Sequence, residues 1–320
     1  MEQEISLSLV IPTFNRASLI EQTIKAALDQ SVPFSEIIVV NDGSTDNTVE
    51  VLDKYRDNIR TIHIENQGVQ VARNVGVRSA LTSHVTLCDS DDLLDLKYVS
   101  TLLTWLNQVS TSKIIYSNFH TFDDHSIYPD KFSLAPSDFF SGAKSVNGFL
   151  VDIPDLYVRT LQFQPLFCSG VTIERDFFTK IGGFNPELKG IGSEDWEFTL
   201  RAIAATTAAL CMTPLVRVRK HASNDSANST RQAVGEALVL EFALSHHFKA
   251  KEYQSRILQE IEHIRYVAFE RAFAGANFDL ACNMAHLLSH TPKSTRFWAK
   301  RLITLLPSPF RMAMWKMTKQ

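Results

Sequence analysis

The chain has 320 residues, of which 45% are hydrophobic and 21% charged, and its formal net charge is −3. These are the proportions of a folded globular protein, and they exclude disordered, collagen-like and low-complexity classes. No stretch is apolar for long enough to span a bilayer, and the acidic start Met1-Glu2-Gln3-Glu4 lacks the basic flank of a signal peptide, so a cytoplasmic setting is expected.

From Ile5 to Asn118, short β-rich runs alternate with amphipathic stretches, the pattern of a mostly parallel α/β sheet flanked by helices. Strands are predicted over 6–11, 36–40, 59–64, 84–87 and 113–116, with helices starting near Ala17, Thr45, Val69 and Leu96. Between about His120 and Gln164 the periodicity fails, and this segment reads as a long irregular insert that shapes a variable pocket. A helix over 174–181, a Gly-Gly-Phe turn at 182–184, a helix over 193–205 and a strand over 215–219 follow, the last leading into His221. Beyond Thr230 the chain reads as helical, with apolar-periodic stretches over 232–248 and 253–274. Cys88, Cys168, Cys211 and Cys282 have no paired spacing, which argues against a zinc site and a disulfide framework and fits a reducing compartment.

Open α/β sheets bind ligands beyond the carboxyl ends of their strands, and the polar residues gather there. Pro12-Thr13-Phe14-Asn15 follows the first strand, Asn41 to Asp46 the second, Glu65 to Gly68 the third, and Asp89-Ser90-Asp91-Asp92 the fourth. Carboxylates this close repel one another, and a hard divalent ion such as Mg²⁺ or Mn²⁺ would take them together with phosphate oxygens. The competing reading is that Asp91 and Asp92 cap a helix starting near Leu93.

Asp42 stands where a carboxylate can reach a ribose or a base, or else belongs to a simple turn capped by Ser44 or Asp46. Arg73 lies one turn into a helix, where its guanidinium can meet a diphosphate or a ligand-facing carboxylate; a lone Arg is otherwise a surface residue. Glu194 and Asp195 open a helix whose dipole favours negative charge, with Ser193 as an available cap. His221 can ligate a metal or bind phosphate, and a solitary His is otherwise structural.

Taken in order, these segments resemble the family-2 glycosyltransferases of the GT-A fold. The resemblance covers roughly Ser6 to Ser223 and rests on Val10 to Arg16, Val40 to Asp46, Asn66-Gln67-Gly68 with Ala72 to Gly76, the acidic cluster, Gly182 to Asn185, and Glu194-Asp195 with Arg201. It implies a GT-A domain over 1–230, with a nucleotide-sugar half of about 1–118 and an acceptor half of about 119–230, followed by a helical region over 231–320. It also implies that Pro12, Thr13, Asp42 and Arg73 contact the nucleotide, that Asp89 lies near its ribose, and that Asp91, with His221, holds Mn²⁺ or Mg²⁺. Asp195 matches the catalytic base of an inverting transfer, with Glu194 beside it on the acceptor side. The implied partners are a nucleotide-sugar donor, with UDP the nucleotide by analogy, and a glycan or lipid-linked acceptor in cell-surface polysaccharide or glycolipid assembly. Leu96 departs from the Pro that many members carry after the acidic cluster, which touches the start of a helix and not the chemistry. The competing functions are a catalytically silent sugar-nucleotide-binding or scaffold protein and a sugar nucleotidyltransferase, although the Gly-rich basic N-terminal loop of the latter is absent.

No Asp or Glu follows Asp279, whereas Lys293, Arg296, Lys300, Arg301, Arg311, Lys316 and Lys319 do, interleaved with Trp298, Leu302, Leu305, Phe310, Met314 and Trp315. Such a tail suits an anionic membrane surface, peripheral on the cytoplasmic face of the inner membrane. The alternative is a hairpin folded back on the protein with a solvated basic face. No nucleic-acid-binding motif accompanies the charge.

Overall fold

The computed structural model describes residues 5–109, 111–221, 228–290 and 292–318; the acidic N-terminal residues and Lys319 discussed above lie outside them. The chain divides into two compact units, Met1–Gly190 with Glu194–Ala222, and Ile191–Ser193 with Ser223–Gln320.

The first unit carries, in order, β1 (Leu7–Thr13), α1 (Ile20–Leu28), β2 (Glu36–Asp42), α2 (Thr48–Asp53), β3 (Arg60–Ile64), α3 (Val69–Ser79), β4 (His84–Leu87), β5 (Leu93–Leu94), α4 (Tyr98–Gln108), β6 (Ile114–Phe122) and β7 (Ile127–Asp130). It continues with β8 (Lys144–Val146), β9 (Phe149–Val151), α5 (Leu156–Gln162), β10 (Val171–Glu174), α6 (Arg175–Lys180), α7 (Glu194–Ala205) and β11 (Ala209–Arg219). One sheet runs β3-β2-β1-β4-β10-β6-β11-β9-β8, with β5 beside β11 and β7 beside β6. The β1–β2, β2–β3, β1–β4 and β6–β11 pairs are parallel, and β10 lies antiparallel between β4 and β6.

Strand alternation sorts the core onto two faces. Leu7, Leu9 and Ile11 of β1 pack with Ile20 and Ile24 of α1 and with Val99, Leu102 and Trp105 of α4. Val10, Ile38 and Val40 face the other way, towards Ala72 and Val77 of α3, Phe177 and Phe178 of α6, and Phe198 of α7. Each such side chain, fully buried, contributes about 1.5–3 kcal/mol. With both faces covered, the strands become the near-continuous apolar runs seen in the sequence.

Three expectations are corrected. Residues 120–164 are only partly irregular: β6 continues to Phe122, β7 pairs with it, β8 and β9 form a hairpin, and α5 follows. No helix starts near Leu93, because Leu93 and Leu94 instead pair with Arg217 and Val216 of β11, and the next helix begins at Tyr98. The segment from Glu174 is preceded by the unforeseen strand β10, so the sheet is mixed at its centre.

The second unit consists of α8 (Ser229–His246), α9 (Phe248–Glu252), α10 (Gln254–Ala274), α11 (Phe278–His286), α12 (Thr295–Leu305) and α13 (Ser308–Met317). Ile257, Ile261, Ala268 and Phe269 of α10 are buried, as are Ala233, Ala237 and Leu240 of α8. Gly235 brings α8 against the backbone of Ile191 and Gly192; a Cβ there would lie 2.3 Å from the Ile191 carbonyl oxygen. No helix among the described residues is long and apolar enough to cross a membrane.

α3 approaches the sheet closely at Gly76, where a Cβ would sit 2.3 Å from Val10 Cγ1 and 3.2 Å from Val40 Cγ2. Gly76→Ala therefore forces α3 off β1 and is expected to lower stability by about 2 kcal/mol despite the better helix propensity of Ala. Urea unfolding measures this, and an unchanged midpoint would show that the helix has room to shift.

Candidate active site

The carboxyl ends of β1, β2 and β4 bring their loops to one edge of the sheet. β1 pairs with β4 only as far as Val10, so the missing N–H of Pro12 breaks no ladder bond on that side. Thr13 closes β1 with a buried hydroxyl that has no partner among the described residues. Asn15, at φ 52°, accepts from the N–H groups of Thr45 (2.8 Å) and Asp46 (3.3 Å) and so stitches the first loop to the second. Asp42 accepts from the N–H groups of Gln67 and Gly68, each at 2.8 Å. One carboxylate thereby shapes the loop that starts α3, where Gly68 takes φ 101°.

Arg73 follows on α3, and its side chain is 5% exposed. Its Nη2 donates to Asp89 Oδ1 at 2.7 Å, its Nη1 reaches Glu194 Oε1 at 3.4 Å, and its guanidinium lies 5.1 Å from the centre of the Phe184 ring. Of the partners anticipated for Arg73, the structure displays carboxylates. Asn74, the next residue, donates to the Phe184 carbonyl and accepts from the Phe184 N–H, both at 2.8 Å. Arg201 of α7 donates to the carbonyls of Ile181 and Gly183 while pairing with the buried Glu197 through two bonds of 2.7 and 2.8 Å. The Gly-Gly-Phe turn is thus clamped from α3 and from α7. At Gly183, φ is 67° and a Cβ would fall 2.5 Å from Asn74 Oδ1, so any side chain there would be strained and would displace Asn74 from Phe184.

Asp195 is half-buried at the start of α7. Its carboxyl is pushed up to about 7, first by burial and then by the charge of Glu194, with Arg73 opposing and Asp89 adding to the rise. Ser193, proposed above as a cap, takes the left-handed φ of 59°. The indole Nε1 of Trp196 is buried with no partner among the described residues.

The acidic cluster does not act as one group. Asp89 belongs to Arg73, and its own N–H donates to Ser169 Oγ at 3.1 Å. Asp91 Oδ2 lies 2.9 Å from His221 Nε2 and 3.7 Å from Arg16 Nε. Asp92 is buried, accepts from the N–H of Arg219 at 2.9 Å, and is pushed well above the usual carboxylate range, first by burial and then by Asp89 and Asp91. Each of the three carboxylates thus has a protein partner of its own, while Asp92 still feels the charges of Asp89 and Asp91. Among the described residues no cluster of three or more His, Cys, Asp or Glu side chains is set to hold a metal ion. The neighbouring oxygen of Asp91 and imidazole nitrogen of His221 nonetheless fit two positions of a Mn²⁺ or Mg²⁺ shell whose remaining ligands are phosphate oxygens and water.

Four residues that organise the site escaped the sequence reading. Arg16 closes on Asp91, Ser169 holds the backbone of Asp89, Asn74 fixes Phe184, and Arg219 anchors Asp92 while its Nε donates to the Asp91 carbonyl at 3.0 Å. Arg16, at the end of the Val10 to Arg16 segment, and Asn74, adjacent to Arg73, carried a positional hint. Cys88 and Cys168 are buried beside the site as free thiols, and burial is the first cause that pushes both well above their usual range.

Residues 8–148 match Glycosyl transferase family 2, and residues 157–221 match a family described as the N-terminal domain of galactosyltransferase. Residues 8–148 thus carry the sequence signature of glycosyl transferase family 2. Similar proteins include a validoxylamine A glucosyltransferase of Streptomyces hygroscopicus subsp. jinggangensis, 28% identical over 61% of this chain and 50% of that one. Another is the chondroitin synthase of Pasteurella multocida, 28% identical over 64% of this chain and 23% of that one. The chain thus spans half or less of these relatives' own lengths. Residues 1-349 of S. aureus TarS, solved in complex with UDP-GlcNAc, superpose with a TM-score of 0.64 at 16% identity, covering 98% of this chain and 88% of that one, which establishes the GT-A fold.

Removing Arg73 would strand Asp89 and Glu194 without their shared cation. Arg73→Ala is expected to cost about 3 kcal/mol in chemical unfolding, and adding Asp89→Asn to recover part of that loss. Additive losses in the double variant would refute the bridge.

Proposed function

We propose that this protein is an inverting family-2 glycosyltransferase that moves a sugar from a nucleoside-diphosphate donor, a UDP-sugar by analogy with the TarS complex, to an acceptor hydroxyl. The observation that carries the proposal is Asp195: a carboxyl pushed up to about 7 at a helix start, beside Glu194 and tied through Arg73 to Asp89 behind β4. The relatives named as a glucosyltransferase and a chondroitin synthase support sugar transfer in polysaccharide or glycoconjugate assembly.

In this reading Pro12 and Thr13 border the nucleotide, with the unpartnered Thr13 hydroxyl available to it, and Asp42 holds the adjoining loop while facing the base or ribose. Asp89 lies near the ribose. Arg73 contacts the nucleotide in this reading, and its Nη atoms, engaged by Asp89 and Glu194, also position the two carboxylates. Asp195 takes the proton of the acceptor hydroxyl as that oxygen attacks the anomeric carbon from the face opposite the leaving diphosphate. A carboxyl with this raised proton affinity suits the task, and such assistance contributes about 10²–10⁴-fold. Glu194 stands beside it on the acceptor side. Asp91 and His221 would hold Mn²⁺ or Mg²⁺, which when bound offsets the charge developing on the diphosphate. No second carboxylate nucleophile is needed, because inversion proceeds in one displacement.

Asp195→Asn is expected to abolish transfer while leaving donor affinity within about twofold, and kcat/KM of the wild type to fall about tenfold per pH unit below a pH of about 7. The same shift has a stability consequence. The folded state disfavours ionised Asp195, so the wild type loses stability relative to the Asn variant as pH rises from the ordinary carboxylate range through about 7. The variant should therefore melt higher than wild type at about pH 8, with the gap closing towards about pH 4. Equal turnover by Asp195→Asn, scored by release of nucleoside diphosphate with a sugar acceptor, would sink the assignment.

Asp91→Ala and His221→Ala should each remove the increase in UDP affinity that Mn²⁺ confers on the wild type, estimated at about tenfold for one charge-assisted site. Calorimetric titration of UDP with and without Mn²⁺ reads this directly. Retention of the full metal increment by both variants excludes the pair as the metal site.

A further inference from the structure

The last two helices of the second unit turn an unusual face outwards. α12 packs inwards through Phe297, whose ring lies 5.0 Å from Phe269 and 6.1 Å from Tyr266, and through Ile303. Lys300 also points inwards, pairing with Glu270 and lying over the Phe273 ring at 5.5 Å. α13 is pinned by Trp315, whose Nε1 donates to the Phe273 carbonyl at 2.6 Å, and by Arg311, which pairs with Asp279 at 3.1 Å and covers the Phe278 ring. The tail therefore does fold back, as a hairpin would, yet its outward side is not the polar face that such packing should leave.

On α12, Trp298, Leu302 and Leu305 recur at i, i+4 and i+7 and are exposed; on α13, Phe310, Met314 and Met317 recur with the same spacing and are exposed. Leu302, Leu305, Phe310 and Met317 are 62–66% exposed. Neither helix, at 11 and 10 residues, is long enough to cross a bilayer. Around the two stripes stand Lys293, Arg296, Arg301 and Lys316, which form no ion pair among the described residues, and no Asp or Glu follows Asp279 in the chain. The Arg301 guanidinium lies 5.2 Å from the centre of the Trp298 ring, placing a cation at the rim of an apolar stripe.

We propose that α12 and α13 form a docking surface for an anionic lipid bilayer, with the two apolar stripes entering the headgroup boundary and the surrounding cations meeting lipid phosphates. A second copy of the chain fits this face less well, because a two-fold contact would bring its unpaired cations onto themselves. A polynucleotide would use the cations and leave the leucines and Phe310 in water. The proposal concerns the second unit alone and is independent of the transfer reaction.

Flotation of the full-length protein with vesicles of phosphatidylcholine, alone or mixed with phosphatidylglycerol, tests it. The protein should float with the mixed vesicles, weakly with phosphatidylcholine alone, and less as salt is raised. Leu302→Glu with Phe310→Glu should reduce partitioning at least about tenfold. Arg301→Ser with Lys316→Ser should reduce it roughly 25-fold, at about fivefold per cation. Both pairs lie on the outer face, so melting temperature and donor hydrolysis should stay at wild-type values, which separates loss of docking from loss of folding. Absence of flotation with the mixed vesicles, or wild-type flotation by both variant pairs, overturns the proposal. So does a dimer, detected by light scattering without vesicles, that Leu302→Glu with Phe310→Glu dissolves, since a second copy would then cover the face.

Discussion

A single guanidinium, buried and shared, sets the geometry of the candidate site of this protein. Arg73 joins Asp89, which follows the fourth strand, to Glu194, which starts a helix 121 residues further along the chain. The cation is costly to bury, and two carboxylates are costly to hold close together; each cost is relieved only if all three groups stay in place. Phe184 forms the wall against which the guanidinium rests, and Asn74 and Arg201 fix the turn that carries it. The proposed base is next in sequence to Glu194, so its position is inherited from this arrangement. Its raised proton affinity comes first from burial in this arrangement and then from the charge of Glu194, which Arg73 opposes.

This dependence also reshapes the view of the acidic cluster. In sequence, Asp89, Asp91 and Asp92 look equivalent. In the fold each has its own partner, one facing Arg73, one facing His221 and Arg16, and one buried beneath the backbone of Arg219. Strand geometry and local turns send successive side chains in different directions, so three adjacent carboxylates serve three tasks.

The parts of the fold legible in the sequence were those with a local signature. The runs around β1, β2 and β4 were visible because two covered faces make them largely apolar, and the polar residues at their ends marked the ligand edge. Glu194 and Asp195 were visible as an acidic helix start. What stayed hidden depended on distant partners. β5 has two residues and exists because β11 offers it hydrogen bonds. The β8–β9 hairpin is short and largely exposed, and β10 has four residues with no turn signal that fixes its direction. Arg16 and Ser169 became site residues only once the chain had brought them to Asp91 and Asp89. In the tail, the helical period was legible, but which side of each helix faced inwards was decided by Phe297, Trp315 and the Lys300–Glu270 pair.

The reversed strand at the middle of the sheet bears on how the protein is made. β4 is flanked by β1 on one side and by β10 on the other, and Thr86 meets Thr172 only after 86 more residues have been added. At ribosomal rates of about 5–20 residues per second, the nascent chain holds that edge open for roughly 4–17 s, with unsatisfied N–H and C=O groups beside a finished apolar half-sheet. Neither half of the sheet can close onto the other until β10 emerges. During that interval an open strand edge is a liability, and a chaperone that shields bare strand edges would relieve it.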